Sequence, residues 1–419
     1  MSLFRKTPKV IIDDIKIHEL LTRGVEKIFP SADLLEKKLR NGEQQTIYLG
    51  IDPTGPTLHM GHVIPLLKLR QFQELGHKII LLVGDFTGMI GDPTDKSSVR
   101  KRLTREEVFS NAKLYKEQAS RLISFNGSNP AELNYNSKWL NRLSFEDSFG
   151  ILSHLTHTQM IKRDMFQKRI EDGKELYMHE FLYPMMQGYD SVAMDVDGEV
   201  GGSDQTFNML VGRDLMKKLK NKEKFVITLK LLADPSGKKM GKTEENTVAL
   251  SDSPGDCFGK IMRWSDSMIL SGFELCTVVP VSEIETVRKQ LESSANPKEL
   301  KLELAEAVVA LLHGGEAAKK ARAGFTVTFS EGKPEDFVEV SLGSKSQALG
   351  GESLTLADAL IKRKLIESKS DLRRLIAEGA VTNLDTGEKA GEDFLKSAPA
   401  GKYRLGKHRF IKIHGTDTD

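Results

Sequence analysis

Cysteine is scarce in this chain: Cys257 and Cys276 are the two copies among 419 residues. Thiols so far apart in sequence do not indicate a disulfide framework or a zinc knuckle, so we expect a reducing compartment and no structural metal. No stretch approaches the roughly 20 apolar residues that a membrane-spanning helix needs. The N-terminus reaches Asp13 and Asp14 early and lacks a small-residue cleavage site. We therefore expect no signal peptide and a cytoplasmic protein, with an organellar leader left open.

Charge is nearly balanced, with 61 Lys and Arg against 59 Asp and Glu. The net charge of +2 does not by itself indicate nucleic-acid binding. Basic residues are concentrated at 96–102, at 217–224 and towards the C-terminus. Such runs are usually solvated faces, so each needs a structural context before it indicates a binding site. The length, with 39% hydrophobic and 29% charged residues, predicts a globular protein of two or three domains.

The first half of the chain has the pattern of an α/β domain. A short apolar strand at 46–52 ends in a turn rich in Gly, Pro and Thr, and a helix follows that stops near Gly76. A β-branched run then indicates a buried parallel strand. Strand, helix and strand in this order predict a Rossmann-like, doubly wound parallel sheet. Ligands of such sheets bind beyond the carboxyl ends of the strands, where the turns 50–62 and 84–95 lie.

The rest of the chain divides by composition. We predict a catalytic domain over 1–244 with a mostly helical insertion at about 104–180, and an α-helical domain over 245–335. Residues 336–353 are rich in Gly and Ser and predict a linker. The basic segment 354–419 has its own helix and strand pattern, which predicts a small α+β domain.

Two histidines stand at the first strand-to-helix turn, in His59-Met60-Gly61-His62. Imidazoles donate hydrogen bonds to phosphate oxygens, and a helix N-terminus attracts anions. Gly61 has no side chain, so a nucleobase could lie flat against the backbone there. A capping turn with two incidental histidines is an equally good interpretation of this motif taken alone.

A pair of lysines stands far downstream, in Lys239-Met240-Gly241-Lys242-Thr243. Lysines in a Gly-rich loop are ordinarily solvated, but they can also neutralise the charge of a departing pyrophosphate. Together, the histidine turn and the lysine segment resemble the paired signatures of class I aminoacyl-tRNA synthetases. Gly241 departs from the commonest form, which has Ser there.

A polar stripe on one helix indicates a small-molecule pocket. Tyr183, Gln187 and Asp190 fall on one face of a helix whose other residues are largely apolar. This stretch, the GGSDQTFN segment and Tyr48 resemble tyrosyl-tRNA synthetases, in particular the longer bacterial-type subgroup. The resemblance implies that Tyr48 and Asp190 bind the substrate phenol.

The same resemblance implies roles for other positions. It places the substrate ammonium on Asp92, Tyr183 and Gln187, and it places Gln205 near the substrate carboxylate and Asp52 in the pocket wall. For the nucleotide it assigns the positions Gly50, Thr54, His59, Gly61, His62, Gly202, Asp204, Met240 and Lys242. For catalysis it assigns the positions Thr54, His59, His62, Lys96, Arg100, Lys239 and Lys242.

The implied reaction is activation of tyrosine by ATP, followed by transfer to the terminal adenosine of tRNA(Tyr). The carboxylate of the substrate is already ionised, so positioning and charge stabilisation suffice and no protein nucleophile is needed. We expect Mg²⁺ to arrive with ATP, held by phosphates and water rather than by a protein cage. The family also implies a homodimer formed through the inserted helical region.

The C-terminal segment resembles an S4-like RNA-binding module. Ser370, Arg373 and Arg374 are predicted on a short helix, and Lys407, His408 and Arg409 are predicted to interrupt the final strand. Such charge suits tRNA phosphates and predicts salt-sensitive binding. A solvated basic surface is the alternative on charge alone.

Two other assignments of the whole chain compete with this one. Tryptophanyl-tRNA synthetases share both signatures, but the phenol-binding pair Tyr48 and Asp190 argues against tryptophan. The second competing assignment is an RNA-binding or regulatory protein that has lost catalysis. The intact signature residues argue against that one, since drift would not be expected to spare all four: His59, His62, Lys239 and Lys242.

Overall fold

The computed structural model describes residues 9–92, 103–161, 164–233, 247–293, 296–327, 337–341, 355–363, 365–366, 368–395, 398–406 and 409–414. The helices are α1 Asp14–Thr22, α2 Ala32–Arg40, α3 Met60–Glu74, α4 Thr87–Ile90, α5 Arg105–Ala112, α6 Tyr115–Ala119, α7 Ser137–Leu140, α8 Phe145–Leu152, α9 His157–Ile161, α10 Asp164–Glu171, α11 Met178–Met194, α12 Thr206–Lys220, α13 Pro254–Met262, α14 Ile269–Cys276, α15 Val281–Glu292, α16 Pro297–His313, α17 Gly315–Thr326, α18 Leu356–Lys362 and α19 Lys369–Ala377. The strands are β1 Val25–Phe29, β2 Thr46–Ile51, β3 Lys78–Val83, β4 Glu132–Tyr135, β5 Gly198–Gly202, β6 Phe225–Leu229, β7 Val338–Ser341, β8 Val381–Asn383, β9 Gly401–Leu405 and β10 Arg409–His414.

The chain forms two compact units, residues 1–319 and 320–419. The first unit contains a six-stranded sheet in the order β1-β6-β5-β2-β3-β4. All neighbouring pairs are parallel except β1 with β6, which is antiparallel at one edge. The α/β prediction is confirmed, and the antiparallel edge strand is an addition to it.

The strand order reverses direction at β2, which lies between β3 and β5. The chain runs from β2 outwards to β3 on one side, whereas β5 and β6 extend the sheet on the other side. The loops that leave β2 and β5 therefore diverge and open a crevice beyond the carboxyl ends of these strands. This switch point is where the sequence predicts a ligand site.

The insertion at about 104–180 is not purely helical, because it contributes strand β4 to the sheet. β4 pairs in parallel with β3, with Leu133 opposite Leu81. The segment has no apolar run because β4 is an edge strand whose residues are half-buried or exposed. Sequence pattern alone missed this strand, and Asn136 follows directly at its carboxyl end.

The described residues of the predicted α-helical domain, 245–335, contain helices α13 to α17, and α13 to α16 lie in the same compact unit as the first sheet. Arg23 provides a physical reason. Its guanidinium donates hydrogen bonds of 2.7–3.0 Å to four backbone carbonyls around the end of α14, those of Phe273, Glu274, Thr277 and Val279. A single buried side chain thus ties α14 to the segment before β1.

The second unit is α+β, with a sheet in the order β7-β10-β9-β8. β7 falls inside residues 336–353, which the sequence predicts to be a linker. That prediction is wrong for 338–341, because β7 pairs in parallel with β10. Val340 is fully buried and lies opposite Ile413, which explains why the segment joins the sheet. Among the described residues of both units, no helix is long and apolar enough to cross a membrane.

A buried ion pair holds the insertion against α11, the helix that carries the polar stripe. Arg169 donates to the Glu180 carboxylate at 2.6 Å, and the two side chains are 3% and 6% exposed. Arg169→Met should lower the free energy of unfolding by about 3–5 kcal/mol, because it leaves a buried carboxylate without its partner. Urea denaturation measures this. Lys174→Met removes an exposed pair with Asp172 and should cost less than about 1 kcal/mol; equal losses would contradict the prediction.

Candidate active site

A cavity of about 370 Å³ opens at the switch point of the first sheet. Every residue predicted for tyrosine, nucleotide or catalysis that the structure describes lines this cavity. These residues are Tyr48, Gly50, Asp52, Thr54, His59, Gly61, His62, Asp92, Tyr183, Gln187, Asp190, Gly202, Asp204 and Gln205. The carboxyl ends of β2 and β5 and the polar face of α11 all face one crevice. This arrangement brings together residues that are more than a hundred positions apart in sequence. The remaining predicted positions, Lys96, Arg100, Lys239, Met240, Lys242, Lys407 and His408, lie outside the described residues.

One end of the cavity is formed by Tyr48 and Asp190, which are 0% and 3% exposed. Trp139 Nε1 donates to one Asp190 oxygen at 2.8 Å, and Asn136 Nδ2 donates to the other at 3.3 Å. Burial raises the pKa of Asp190 well above its usual value, and the nearby carboxylates of Glu199 and Asp52 add to this, whereas the two donors act in the opposite direction. Because each oxygen receives an N–H, the geometry favours the carboxylate, which has lone pairs left for a ligand hydroxyl.

The carboxylate of Asp52 organises the wall next to this end. Tyr183 donates its hydroxyl hydrogen to Asp52 Oδ2 at 2.8 Å, and Thr87 donates to Oδ1 at 2.6 Å. A Cβ at Gly84 would lie 2.0 Å from Asp52 Oδ1, so glycine is required for this close approach. Because the Tyr183 hydroxyl hydrogen is used, its oxygen presents lone pairs, which suits a cationic ligand group.

Two amide side chains complete the polar lining. Gln187 Nε2 donates to Glu199 Oε1 at 3.1 Å, and Gln187 Oε1 is a buried acceptor without a hydrogen-bond partner within the described part of the chain. Gln205 Nε2 donates to Asp92 Oδ2 at 2.7 Å. A buried carbonyl oxygen that lacks a donor is costly. Gln187 therefore indicates that a ligand donor belongs at this position.

The histidine turn begins helix α3, and both imidazoles take part in capping. His59 Nδ1 accepts from the backbone N–H of Gly61, and His62 Nδ1 accepts from the N–H of His59, both at 3.1 Å. The capping interpretation of this motif is therefore correct, but it does not exclude binding. Accepting at Nδ1 selects the tautomer with its hydrogen on Nε2. Both rings line the cavity and carry a donor suited to phosphate oxygens.

The residues on either side of the lysine segment are fixed at the same cavity. Leu231 and Leu232 line it before the segment begins. After the segment, the carbonyl of Val248 accepts from Met60 N at 3.0 Å, and Leu250 N donates to the carbonyl of Leu58 at 2.8 Å. The chain therefore leaves from the cavity wall and returns to the histidine turn.

Sequence reasoning missed the residues that support the site, including Thr87, Asn136, Trp139 and Glu199. Asn136 and Trp139 come from the insertion, where polar composition gave no sign of a ligand site. The signal that could have found Asn136 is its position directly after a strand, but that strand was itself missed. Glu199 precedes the GGSDQ segment within β5 and is 2% exposed.

In the second unit, Ser370, Arg373 and Arg374 lie on α19 and are exposed, as is Arg409. The sequence predicted that Arg409 interrupts the final strand. Instead, Arg409 begins β10 and pairs with Leu405 across the β9–β10 connection. Arg374 donates to Asp371 at 2.7 Å, so part of the positive charge is neutralised locally.

Comparison with known proteins agrees with this geometry. The family model for class I tRNA synthetases of the W and Y group matches residues 40–330. A tyrosine–tRNA ligase of Shewanella oneidensis is 41% identical, over 94% of this chain and 97% of that protein. One from Carboxydothermus hydrogenoformans is 38% identical, over 96% and 98%.

A solved structure supports the same conclusion for the fold. The C-terminally truncated mitochondrial tyrosyl-tRNA synthetase of Coccidioides posadasii has a TM-score of 0.61 and is 26% identical to this chain. The match covers 74% of this chain and 91% of that one. The chain therefore belongs to the class I tRNA synthetases of the tryptophan and tyrosine group, and within that group to the tyrosyl-tRNA synthetases.

Proposed function

We propose that the switch-point cavity binds tyrosine at the end formed by Tyr48 and Asp190, and ATP along the histidine turn. The activity is that of a tyrosine–tRNA ligase: it activates tyrosine with ATP and transfers it to tRNA. The observation that carries the site assignment is the polar end of the cavity. A buried carboxylate and a buried tyrosine hydroxyl face one space, and a phenol hydroxyl is able to donate to the first and accept from the second.

We assign the substrate ammonium to the part of the wall that contains Tyr183 and Gln187. The unpaired Gln187 carbonyl oxygen and the Tyr183 hydroxyl oxygen are both acceptors, and Asp92 adds a negative charge. An ammonium group has three hydrogens and no lone pair, so it matches this set. Gln205, held by Asp92, lies near the substrate carboxylate.

The first chemical step is attack of the tyrosine carboxylate on the α-phosphorus of ATP, with pyrophosphate as the leaving group. The chain's contribution is alignment and charge stabilisation. His59 and His62 donate to phosphate oxygens, Gly202 and Asp204 bind the ribose, and Lys96, Arg100, Lys239 and Lys242 neutralise the pyrophosphate. In the second step a ribose hydroxyl of the terminal tRNA adenosine attacks the carbonyl carbon of the tyrosyl-adenylate; the new ester bond replaces the bond to phosphate, and AMP is the leaving group.

Mg²⁺ enters this proposal as a companion of ATP. Within the described ranges no group of three or more His, Cys, Asp or Glu side chains could hold a metal ion. Magnesium prefers several waters and substrate phosphates to an all-protein cage, which suits delivery with the nucleotide. The cytoplasmic location expected from the N-terminal sequence stays a prediction.

The proposed homodimer uses the inserted region. Phe145, Phe149 and Met178 are 80%, 58% and 78% exposed, and the two phenylalanine rings stack edge to face. The adjacent exposed rings of Phe145 and Phe149 form an apolar surface of the kind that a partner covers. For tRNA binding, α19 and Arg409 of the second unit supply exposed positive charge.

Pyrophosphate exchange tests the assignment directly. Labelled pyrophosphate should enter ATP in the presence of tyrosine, and tryptophan and phenylalanine should support exchange at least about 1,000-fold less well, because each leaves a buried polar group unpaired. Exchange driven best by tryptophan would overturn the tyrosine site. Absence of exchange with all three amino acids would overturn the enzymatic proposal.

A further inference from the structure

A second polar layer lies behind the phenol end of the cavity, and neither the motifs nor the reaction account for it. Its centre is Lys224, which is 0% exposed. The Lys224 ammonium donates to the carboxylate of Glu199, to Ser191 Oγ at 2.7 Å and to the carbonyl of Met209 at 3.3 Å. Three acceptors thus match its three hydrogens. Burial lowers the pKa of Lys224, and the adjacent Glu199 carboxylate opposes that effect.

The layer reaches the cavity through one hydroxyl. Ser191 Oγ lies 3.0 Å from the Tyr48 hydroxyl oxygen, and Lys224 Nζ lies 5.5 Å from the centre of the Tyr48 ring. An ammonium can only donate, so the Ser191 oxygen accepts from Lys224 and its own hydrogen is left for Tyr48. Tyr48 then accepts from Ser191, and its hydroxyl hydrogen points away from Ser191, where the Glu199 carboxylate or a group in the cavity can accept it.

The surroundings keep Tyr48 protonated, as a donor must be. Burial raises the pKa of Tyr48 well above its usual value, and the carboxylates of Glu199 and Asp190 raise it further. The direction of each hydrogen bond therefore runs from Lys224 to Ser191 to Tyr48 and then into the cavity. Asp190 next to it can only accept as a carboxylate. A ligand hydroxyl can accept from Tyr48 and donate to Asp190, so it satisfies both residues.

We propose that Lys224 and Ser191 are specificity-determining positioning residues, which orient the Tyr48 hydroxyl as a donor and so make the pocket select a phenol over an unsubstituted ring. This inference rests on the proposed tyrosine site. Without Lys224, Ser191 can accept from Tyr48; without the Ser191 hydroxyl, no donor fixes the orientation of the Tyr48 hydroxyl. In both cases Tyr48 can present lone pairs to the ligand beside the Asp190 carboxylate. A phenol has one hydrogen and could not satisfy two acceptors, so tyrosine would lose affinity while phenylalanine would lose nothing.

The same ion pair also steadies the other end of the amino acid. Glu199 receives Lys224 at one oxygen and Gln187 Nε2 at the other. The Gln187 amide is thereby held with its carbonyl oxygen unpaired, in the orientation that an ammonium group needs. Lys224 is the positive charge that allows Glu199 to be buried there.

The test compares tyrosine with phenylalanine in pyrophosphate exchange by Ser191→Ala. This variant removes one hydroxyl and leaves the Lys224–Glu199 pair intact, so the chain should fold. We expect kcat/KM for tyrosine to fall about 10-fold, mainly through KM, with phenylalanine unchanged. A double variant, Lys224→Met with Glu199→Gln, avoids a lone buried charge and should lower the ratio of tyrosine to phenylalanine at least as far.

Lys68→Met is the matched control. Lys68 is also buried, at 3% exposure, and donates to the carbonyls of Leu20 and Arg23, away from Tyr48. Its substitution should leave the substrate ratio unchanged. An equal fall for both substrates in Ser191→Ala would mean a merely structural role and would overturn the relay.

Asp190→Asn separates the relay from the site on which it depends. If Ser191→Ala leaves the ratio unchanged while Asp190→Asn collapses it, the relay is refuted and the tyrosine site stands. If neither substitution changes the ratio, the tyrosine site itself is refuted.

Discussion

Replacing Lys242 with alanine is expected to slow formation of tyrosyl-adenylate by about 100- to 1,000-fold while leaving tyrosine affinity within about two-fold. The negative charge that Lys242 offsets grows on the departing pyrophosphate, so the interaction is strongest in the transition state. In the proposed site the phenol and ammonium groups are held by Tyr48, Asp190 and Gln187, which this substitution does not change. Single-turnover adenylate formation and equilibrium binding of tyrosine measure the two quantities separately.

Lys238→Ala is the appropriate control, because it removes the same charge from the same segment. It should change adenylate formation by less than about 10-fold, since Lys238 lies outside the two lysine positions of the signature and is expected to contribute only screened attraction. A large loss of tyrosine affinity in Lys242→Ala would mean that the lysine segment has been assigned to the wrong substrate. Equal effects of the two substitutions would mean that Lys242 contributes only the general positive charge of the segment.

Removing the second unit is expected to separate the two reactions. A chain that ends at Val327 keeps α17 whole and omits β7, which belongs to the second sheet. Pyrophosphate exchange should stay within about two-fold, because all described lining residues of the cavity lie in the first unit, whereas tRNA charging should fall by about 100-fold as phosphate contacts are lost. Both rates are measured on one preparation of each chain.

The full-length chain provides a second readout of the same idea. Its charging rate at low tRNA concentration should fall steeply with salt, whereas the charging rate of the shortened chain should depend on salt more weakly. A shortened chain that loses exchange and charging to the same extent would contradict this division of labour. So would one that charges tRNA as well as the full-length chain.

The predictable part of the site is the set of polar residues that line the cavity. His59 and Asp190 stood out because ligands bind beyond the carboxyl ends of parallel strands and because polar residues are conspicuous in apolar segments, whereas Asp204 was assigned through the family resemblance. The sheet itself followed from the alternation of β-branched runs with a helix. These patterns are formed by residues close in sequence, so they can be recognised without the folded structure.

The second polar layer behind the phenol end was not predictable, because nothing in the sequence distinguishes its residues from ordinary surface or helix residues. Lys224 closes the basic run at 217–224, which charge alone predicts to be a solvated face, yet it is fully buried. Its burial depends on Glu199 and Ser191, which come from two other elements and become neighbours in the folded chain. Asn136 escaped notice for a similar reason, since the edge strand before it has little apolar character.

Strand β10 has a consequence for how the second unit tolerates shortening. β10 is an inner strand of its sheet: it bridges β7 and β9, and its residues Ile411 and Ile413 are buried. A chain cut before Arg409 would lose β10 and would leave two newly exposed sheet edges with no strand between them. The loss of this one strand should therefore destabilise the whole second unit.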